Sequence, residues 1–494
     1  MESTKSPNLI VIMSDEHDPR YMGASGDTLV KTPNLDALAA KGVRFTDAYT
    51  NSPICVPARA SFATGAYVHD IGYWDNAIAY DGEVKGWGHA LQANGVRVES
   101  LGKLHYRDIE DEAGFDKEHV PMNVYKGHGM VWGSVRDPLP HEQPREGRML
   151  GPHIGAGEST YTRYDRTVTD MTVEWLEDAA DKSDGQPWCL YVGLVAPHFP
   201  LVVAQEFFDL YPLDALPPRK LHPRDGYERH PWIQRHHDFW PSDDHFEDDE
   251  ERLRAIAAYY GLITWMDSNV GKIMTALEST GLAANTRVIY TSDHGDNVGH
   301  RGMWGKSNFY FESVAVPMLM AGPGIAPGIV DTSVSLLDIQ PTILDNFGVS
   351  TSEAPLSTTV RRPGDSLISI ANSPDDTARV VFSEYHAAGS PSAGFMVRKG
   401  RWKYHYYVGY SPELFDTEAD PEETLNLADD AAHQDALKAM HRELLAICDP
   451  EEVDGRAKAA QNALIEHHGG REIALTVGAP AATPVPGAKA KYGE

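Results

Sequence analysis

The chain is poor in sulfur that could cross-link it: three cysteines, Cys55, Cys189 and Cys448, in 494 residues. One pair and a leftover make a weak disulfide framework at this length, so reduced thiols and a cytoplasmic location are expected. Long apolar runs are missing too. The longest, at residues 9–13 and 190–196, fall well short of the roughly 18–20 residues that cross a bilayer. The start, Met-Glu-Ser-Thr-Lys, lacks the basic and apolar regions of a secretory signal. Positive charge is scarce: 43 Lys and Arg stand against 72 Asp and Glu, a formal net charge of −29. A surface that acidic repels nucleic acid and anionic membranes, so neither is expected as a partner. An anionic substrate would need a local basic pocket working against that field. No internal repeat is present. What remains, 41% hydrophobic and 23% charged residues, is the mix of a folded globular protein. A prior of about 150 residues per domain allows two to four domains.

Strand, loop and helix alternate along the chain. Residues 8–14, 97–102, 188–195, 287–292 and 316–320 are apolar runs of strand length. Helices are expected after Thr32-Pro33, with Asn34 as cap and an end near Gly42, and at 164–180, 256–277 and 338–347. This pattern predicts an α/β fold with a large, mostly parallel sheet covered by helices on both faces. After about residue 350 the character changes. Residues 351–376 are rich in Ser, Thr, Pro and Asp and read as a linker. A strand at 380–385, a hairpin across Lys399-Gly400 and a helix at 434–447 predict a smaller antiparallel sheet with one helix. The expected division is therefore a catalytic domain at 1–370, an α+β domain at 371–450 and an extension at 451–494. The last stretch, 478–494, is rich in Ala, Pro and Gly and reads as extended or flexible. Residues 199–250 carry His222, His230, His236, His237 and His245 among Trp, Pro and acids. Their spacing fits no zinc pattern, so a long aromatic loop over the active site is the better reading.

Ligands of an open parallel sheet bind beyond the carboxyl ends of its strands. Four strands here run into polar residues: Asp15-Glu16, Lys103 with His105, His198, and Asp293-His294. One such end means little. Four ends giving acidic and basic clusters predict one site that holds a divalent cation and an anion, as in metal-dependent hydrolysis of an anionic ester. Cys55-Val56-Pro57-Ala58-Arg59 adds to this. Pro57 suits the first turn of a helix that stops at Gly65, which puts Cys55 at an N-terminus that favours negative charge. A lone cysteine is more often a small buried hydrophobe; a thiolate nucleophile is the other reading, with no adjacent histidine base nearby.

These segments resemble the type I, formylglycine-dependent sulfatases of the alkaline phosphatase superfamily. Cys55 to Arg59 with Thr64-Gly65 is similar to the sulfatase signature, in which the cysteine is oxidised to formylglycine. Residues 8–15, Thr32-Pro33-Asn34-Leu35-Asp36, Gly102-Lys103-Leu104-His105, Ser292-Asp293-His294-Gly295 and Gly305-Lys306 follow in family order. So do Leu414-Phe415-Asp416, Asp420-Pro421 and Asn426-Leu427 further on.

The resemblance implies roles. Asp15, Asp293, His294 and an oxygen of modified Cys55 would bind one divalent ion, calcium by preference, with magnesium or manganese as other choices. Arg59 and Lys103 would hold the formylglycine hydrate, and Asn76 a sulfuryl oxygen. His105 would act as base, and His198 or Lys306 would give the leaving alcohol its proton. Lys103, His198 and Lys306 would also touch the substrate. A maturation enzyme that generates formylglycine and a homo-oligomer, with 451–494 at its interface, are implied as well. Two departures stand out. Glu16 replaces a second Asp and is left off the ligand set, and His294 stands where some arylsulfatases carry Asn. The function implied is hydrolysis of an aryl or small alkyl sulfate. A phosphonate monoester or phosphodiester hydrolase is the alternative, although that branch carries neutral residues where Lys103 and His105 stand here. A non-catalytic metal- or anion-binding relative is a third reading. His17, His69 and His89 are expected to be structural. Trp74, Trp232 and Trp240 are candidates for the pocket wall.

Overall fold

A computed structural model describes residues 6–143, 150–151, 153–182, 185–350, 356 and 359–490. The expectation about residues 1–5 and parts of those for 351–376 and 478–494 lie outside this set. The chain builds an eight-stranded sheet from β1 (Asn8–Asp15), β2 (Val43–Phe45), β3 (Arg97–Lys103), β4 (Lys117–Met122), β5 (Trp188–Pro197), β6 (Thr286–Ser292), β7 (Met318–Ala321) and β8 (Gly328–Val330). Their order across the sheet is β8-β2-β7-β6-β1-β5-β3-β4. The five strands from β6 to β4 are parallel. The run at 316–320 is shorter than its apolar pattern and lies antiparallel to β6 and β2. Strands β2, β4 and β8 were not legible in the sequence: β2 and β8 are three residues long, and β4 (Lys-Glu-His-Val-Pro-Met) is largely polar.

Strand β1 fixes the layers. Its side chains alternate between two cores, as a period of two requires. Ile10 and Ile12 face the helices Thr160–Asp181 and Asp249–Ser279. Leu9, Val11 and Met13 face Ala60 and Phe62 of the helix Cys55–Thr64 and Ile343 of the helix Ile339–Asn346. All eight β1 residues are buried, so β1 is the central strand its apolar run predicts.

Asn34 is not the cap of its helix. The helix is Pro33–Lys41 with Thr32 before it, and Asn34 lies in the first turn. Asp267, from the long helix behind, accepts the Asn34 and Leu35 backbone N–H groups (3.2 and 2.8 Å) and the Asn34 amide (2.8 Å). A carboxylate distant in sequence thus serves the free N–H groups that a local cap usually takes.

The second sheet is a four-stranded antiparallel meander, Val380–Tyr385, Gly394–Lys399, Trp402–Tyr407 and Glu413–Asp416. The helix Gln434–Ile447 seals it through Met440 and Leu444. A further helix, Pro450–His467, was not anticipated. Asp449 caps it by accepting the Glu451 and Glu452 N–H groups (both 3.1 Å), and Val453, Ala457 and Ile465 bury one narrow stripe. Residues 199–250 hold a helix too, Pro231–Phe239, capped by the His230 ring. Their histidines are used singly: His222 bonds Asp243 (2.8 Å) and His230 the Ser411 carbonyl (2.9 Å). Among the described residues, no cluster with metal-ligand geometry contains any of the five. Residues 478–485 pack on their own chain, with Ala479 fully buried, while 486–489 are exposed.

A buried charge network ties the two sheets together. Glu312 pairs with Arg301 (2.9 Å), Arg20 (3.4 Å) and His300 (2.7 Å). Arg301 reaches the Glu423 carbonyl, just after the last strand of the second sheet (3.2 Å), and lies 3.9 Å from the Tyr310 ring centre. Burial opposes the Glu312 charge, but Arg301 and Arg20 hold its carboxyl well below the usual range. We predict that Glu312→Gln lowers unfolding stability by about 3–5 kcal/mol, because it leaves Arg301 buried and unpaired. The wild-type advantage should be full above the ordinary glutamate range and shrink as pH falls through the depressed folded value. Denaturant unfolding at several pH values measures both.

Candidate active site

The carboxyl ends of β1, β3, β5 and β6 meet at the N-terminus of the helix Cys55–Thr64. Cys55 is its first residue and Pro57 sits two on; Gly65 closes it in the left-handed conformation with its N–H on the Ser61 carbonyl. Every residue of this helix is buried, so its free N-terminal N–H groups point into protein.

Four donors converge there. The Cys55 Sγ lies 3.2 Å from His294 Nε2 and 3.5 Å from Asp15 Oδ1. His294 Nε2 is 3.8 Å from Asp15 and 3.6 Å from Asp293. The donor atoms of Asp15, Cys55, Asp293 and His294 all lie within 4.8 Å of one another. The His294 Nδ1–H donates to the Gly295 carbonyl (3.0 Å), which turns the Nε2 lone pair toward the cluster. Burial and Lys306 lower His294 to about 3, so the ring is neutral.

Arg59 and Lys103 lock the carboxylates. Arg59 donates through Nε to Asp293 (2.9 Å) and through its terminal nitrogens to Asp15 (2.9 Å), the Lys103 carbonyl (2.9 Å) and the Tyr191 hydroxyl (2.8 Å). Lys103 Nζ pairs with Asp15 at 2.6 Å. Burial opposes the Asp15 charge, but Lys103, His198 and Arg59 hold its carboxyl well below the usual range. Burial also pushes Asp293 up to about 7 and Glu16 up to about 8. Four buried carboxyls, Asp15, Glu16, Asp293 and Asp296, thus face three cations, Arg59, Lys103 and Lys306. The surplus acid, the hard oxygens and the single aimed imidazole fit a divalent cation. Cys55 itself is no thiolate: burial and Asp15 push its thiol up.

A close approach sets Lys103 and His105. Gly102 has φ +96, and a Cβ there would fall 2.2 Å from the Gly193 carbonyl. The register between β3 and β4 shifts at this point, which re-aims the residues that follow. His105 takes φ +56, and both its ring nitrogens are buried without a hydrogen-bond partner. Burial, Lys103 and Arg59 lower its pKa well below the ordinary value.

His198 and Lys306 form a pair. The His198 Nδ1–H donates to the Phe199 carbonyl (2.6 Å), so Nε2 accepts from Lys306 Nζ (3.0 Å). Burial and Lys306 hold His198 well below its ordinary pKa. Lys306 also makes a short ion pair with Glu16. Glu16, at φ +70, thus meets Lys306 with one carboxyl oxygen and accepts the Phe199 N–H (3.4 Å) with the other. Asn76 accepts the Val56 N–H (3.3 Å) and lines a cleft of about 520 Å³ with Lys306, Trp240, Trp304 and Tyr385.

All ten expected site residues thus gather at one end of the sheet. Of the three tryptophans expected in the wall, only Trp240 lines the cleft. Trp232 sits behind the wall, stacked on His236 and Tyr407, and Trp74 sits edge-on to His386; neither lines the cleft. Tyr191, Trp304 and Ala481 were missed: Trp304 adjoins the Gly305-Lys306 motif and was open to inference, whereas nothing local marks Tyr191 or Ala481. His17, His69 and His89 are structural, bonded to the Tyr290 hydroxyl (2.7 Å), Glu384 (2.9 Å) and the Glu112 carbonyl (2.6 Å).

Known proteins are similar to this chain in sequence and fold. The sulfatase family model matches residues 7–349, and a model of the N-sulphoglucosamine sulphohydrolase C-terminal region matches 299–449. The choline-sulfatase of Rhizobium meliloti (strain 1021) is 34% identical over 481 residues, covering 93% of this chain and 90% of that protein. Arylsulfatase K of Danio rerio is 32% identical over 455 residues, covering 85% of this chain and 80% of that protein. The crystal structure of a phosphonate monoester hydrolase of Agrobacterium radiobacter superposes with a TM-score of 0.71 at 23% identity, over 89% of this chain and 95% of that one, and shares the fold. With the matched span and a layered sheet ending in these donors, the chain belongs to the sulfatase family of sulfuric ester hydrolases.

Proposed function

We propose that the protein hydrolyses sulfate monoesters to an alcohol and inorganic sulfate. Cys55 would act as formylglycine, and Asp15, Asp293, His294 and the side chain at 55 would hold one divalent cation, calcium by preference. The observation that carries this is the buried Cys55 at a helix N-terminus, its sulfur within 4.8 Å of donor atoms from two carboxylates and an imidazole. When bound, the cation supplies positive charge that lowers the cost of building negative charge on oxygen. Formylglycine at this position, after adding one water to its aldehyde, would supply two hydroxyls on one carbon, the chemistry for making and then breaking a bond to sulfur.

The chain's own residues do the rest. Arg59 and Lys103 hold side chain 55 and offset the charge of the incoming anion. Asn76 offers an amide N–H to a sulfuryl oxygen. His105, kept neutral and free of partners, can take a proton. The His198–Lys306 pair, at the cleft, can give one to the leaving oxygen. The aromatic wall of Trp240, Trp304 and Tyr385 suits an organic half that packs on ring faces, an aryl group or a quaternary ammonium. Lys103 and His105 favour sulfate over phosphonate. We also propose a reducing compartment, in keeping with the scarcity of cysteine, a formylglycine-generating enzyme as maturation partner, and a homo-oligomer.

Kinetics on matched esters test the activity. The matured enzyme should prefer 4-nitrophenyl sulfate to 4-nitrophenyl phenylphosphonate in kcat/KM, and Cys55→Ala should lower kcat at least about 10⁴-fold. A preference for the phosphonate would favour the alternative hydrolase, and turnover surviving in Cys55→Ala would end the covalent scheme. Elemental analysis tests the cation. The purified protein should carry about one divalent ion per chain, and Asp293→Ala should reduce it at least about tenfold. Equal metal in both would contradict the ligand set.

A further inference from the structure

The active site has a wall that comes from the far end of the chain. Residues 478–485 run beside the site as a strap outside helix and strand, and Ala481 lines its cleft. At one end the Ala479 N–H donates to the Gly129 carbonyl (2.8 Å), and the Trp132 indole donates to the Ala479 carbonyl (2.8 Å). Gly129 has φ +49, and a Cβ there would fall 1.9 Å from the Asn76 carbonyl; a Cβ on Gly478 would fall 2.4 Å from the Gly129 carbonyl. Strap, Gly129 and Asn76 are therefore stacked backbone on backbone, with room for glycine alone. At the other end the Tyr161 hydroxyl donates to the Thr483 carbonyl (2.7 Å). The Tyr161 ring stands edge-on to the His198 imidazole, with centres 5.7 Å apart at 69°. Phe199 covers another side of that imidazole at 4.1 Å. Ala481, between the two anchors, lines the cleft with Trp240, Trp304 and Lys306.

We propose that this strap is a built part of the active site: Ala481 limits the size of the organic half, and Tyr161, pinned by Thr483, is a positioning residue for His198. The strap's composition suits the task. A run of alanine, proline and glycine lies flat and leaves the cleft open, where larger side chains would fill it. The Tyr161 hydroxyl has its partner on the strap, and its ring is then fixed against one side of His198. His198 in turn meets Lys306, so the strap holds the orientation of the pair that faces the leaving oxygen. The inference rests on the sulfatase reading and on that pair as proton donor.

Full-length Tyr161→Phe and Ala481→Phe test it, beside wild type, on sulfate esters of different alcohols. Tyr161→Phe keeps the ring and removes the latch. Its kcat should fall about tenfold on an alkyl sulfate, whose poor leaving group needs the proton, and at least about threefold less on 4-nitrophenyl sulfate. Equal losses on both esters, or none, would overturn the positioning role. Ala481→Phe should raise KM about tenfold for bulky 4-methylumbelliferyl sulfate and far less for methyl sulfate. A rise equal for both, or absent, would overturn the wall. Thermal unfolding of each variant accompanies the kinetics. Should Tyr161→Phe fail to fold, the Ala481→Phe comparison decides alone. A wild type inactive on every sulfate ester would sink the sulfatase reading itself, and an active one with unselective variants would sink only the strap.

Discussion

The site depends on one arrangement of charge: Arg59 and Lys103 buried against Asp15 and Asp293. Taking any of these groups out of water alone would cost several kcal/mol. Together they are tolerable, because Arg59 reaches both carboxylates at 2.9 Å and Lys103 reaches Asp15 at 2.6 Å. The fixed cations hold the carboxylates in place beside Cys55 while leaving an excess of acid for a metal ion. They also supply the local positive charge that an acidic protein needs before it can accept an anionic ester.

The fold delivers that arrangement through strand ends. Asp15, Lys103, His198 and Asp293 follow four neighbouring parallel strands, so they arrive within a few ångströms of one another without any long-range design of loops. The helix beginning at Cys55 adds the fifth direction and brings Arg59 one turn later. Around this rigid floor the walls are borrowed. Trp304 is held by Asp243 (2.9 Å) from the 199–250 excursion, and Ala481 comes from the C-terminal strap. Chemistry thus sits at the ends of the large sheet, and the wall that would meet the organic half comes from outside it.

What the sequence disclosed follows the same division. Asp15, Lys103, His198 and Asp293 were legible because an apolar strand run ending in a charge is a local pattern, and Cys55 to Arg59 because its motif is contiguous. The antiparallel turn of β7 and the short β2 and β8 were not, since pairing direction is set by neighbours distant in sequence. Asn34 was misread as a cap because Asp267, 233 residues away, serves the helix start instead. The helix Pro450–His467 escaped notice because its buried stripe mixes Val453, Ala457 and Ile465 with the polar Asp454 and Gln461. Tyr191 and Ala481 carry no signal at all: a tyrosine inside a buried strand and an alanine in a simple tail acquire their places only once the chain is folded.

The account turns on the chemical state of residue 55. Mass spectrometry of the peptide spanning Cys55 and Arg59, taken from fully active protein made beside a formylglycine-generating enzyme, reads it directly. The account predicts the mass of an aldehyde or its hydrate in place of the thiol. An intact cysteine throughout an active preparation would contradict it.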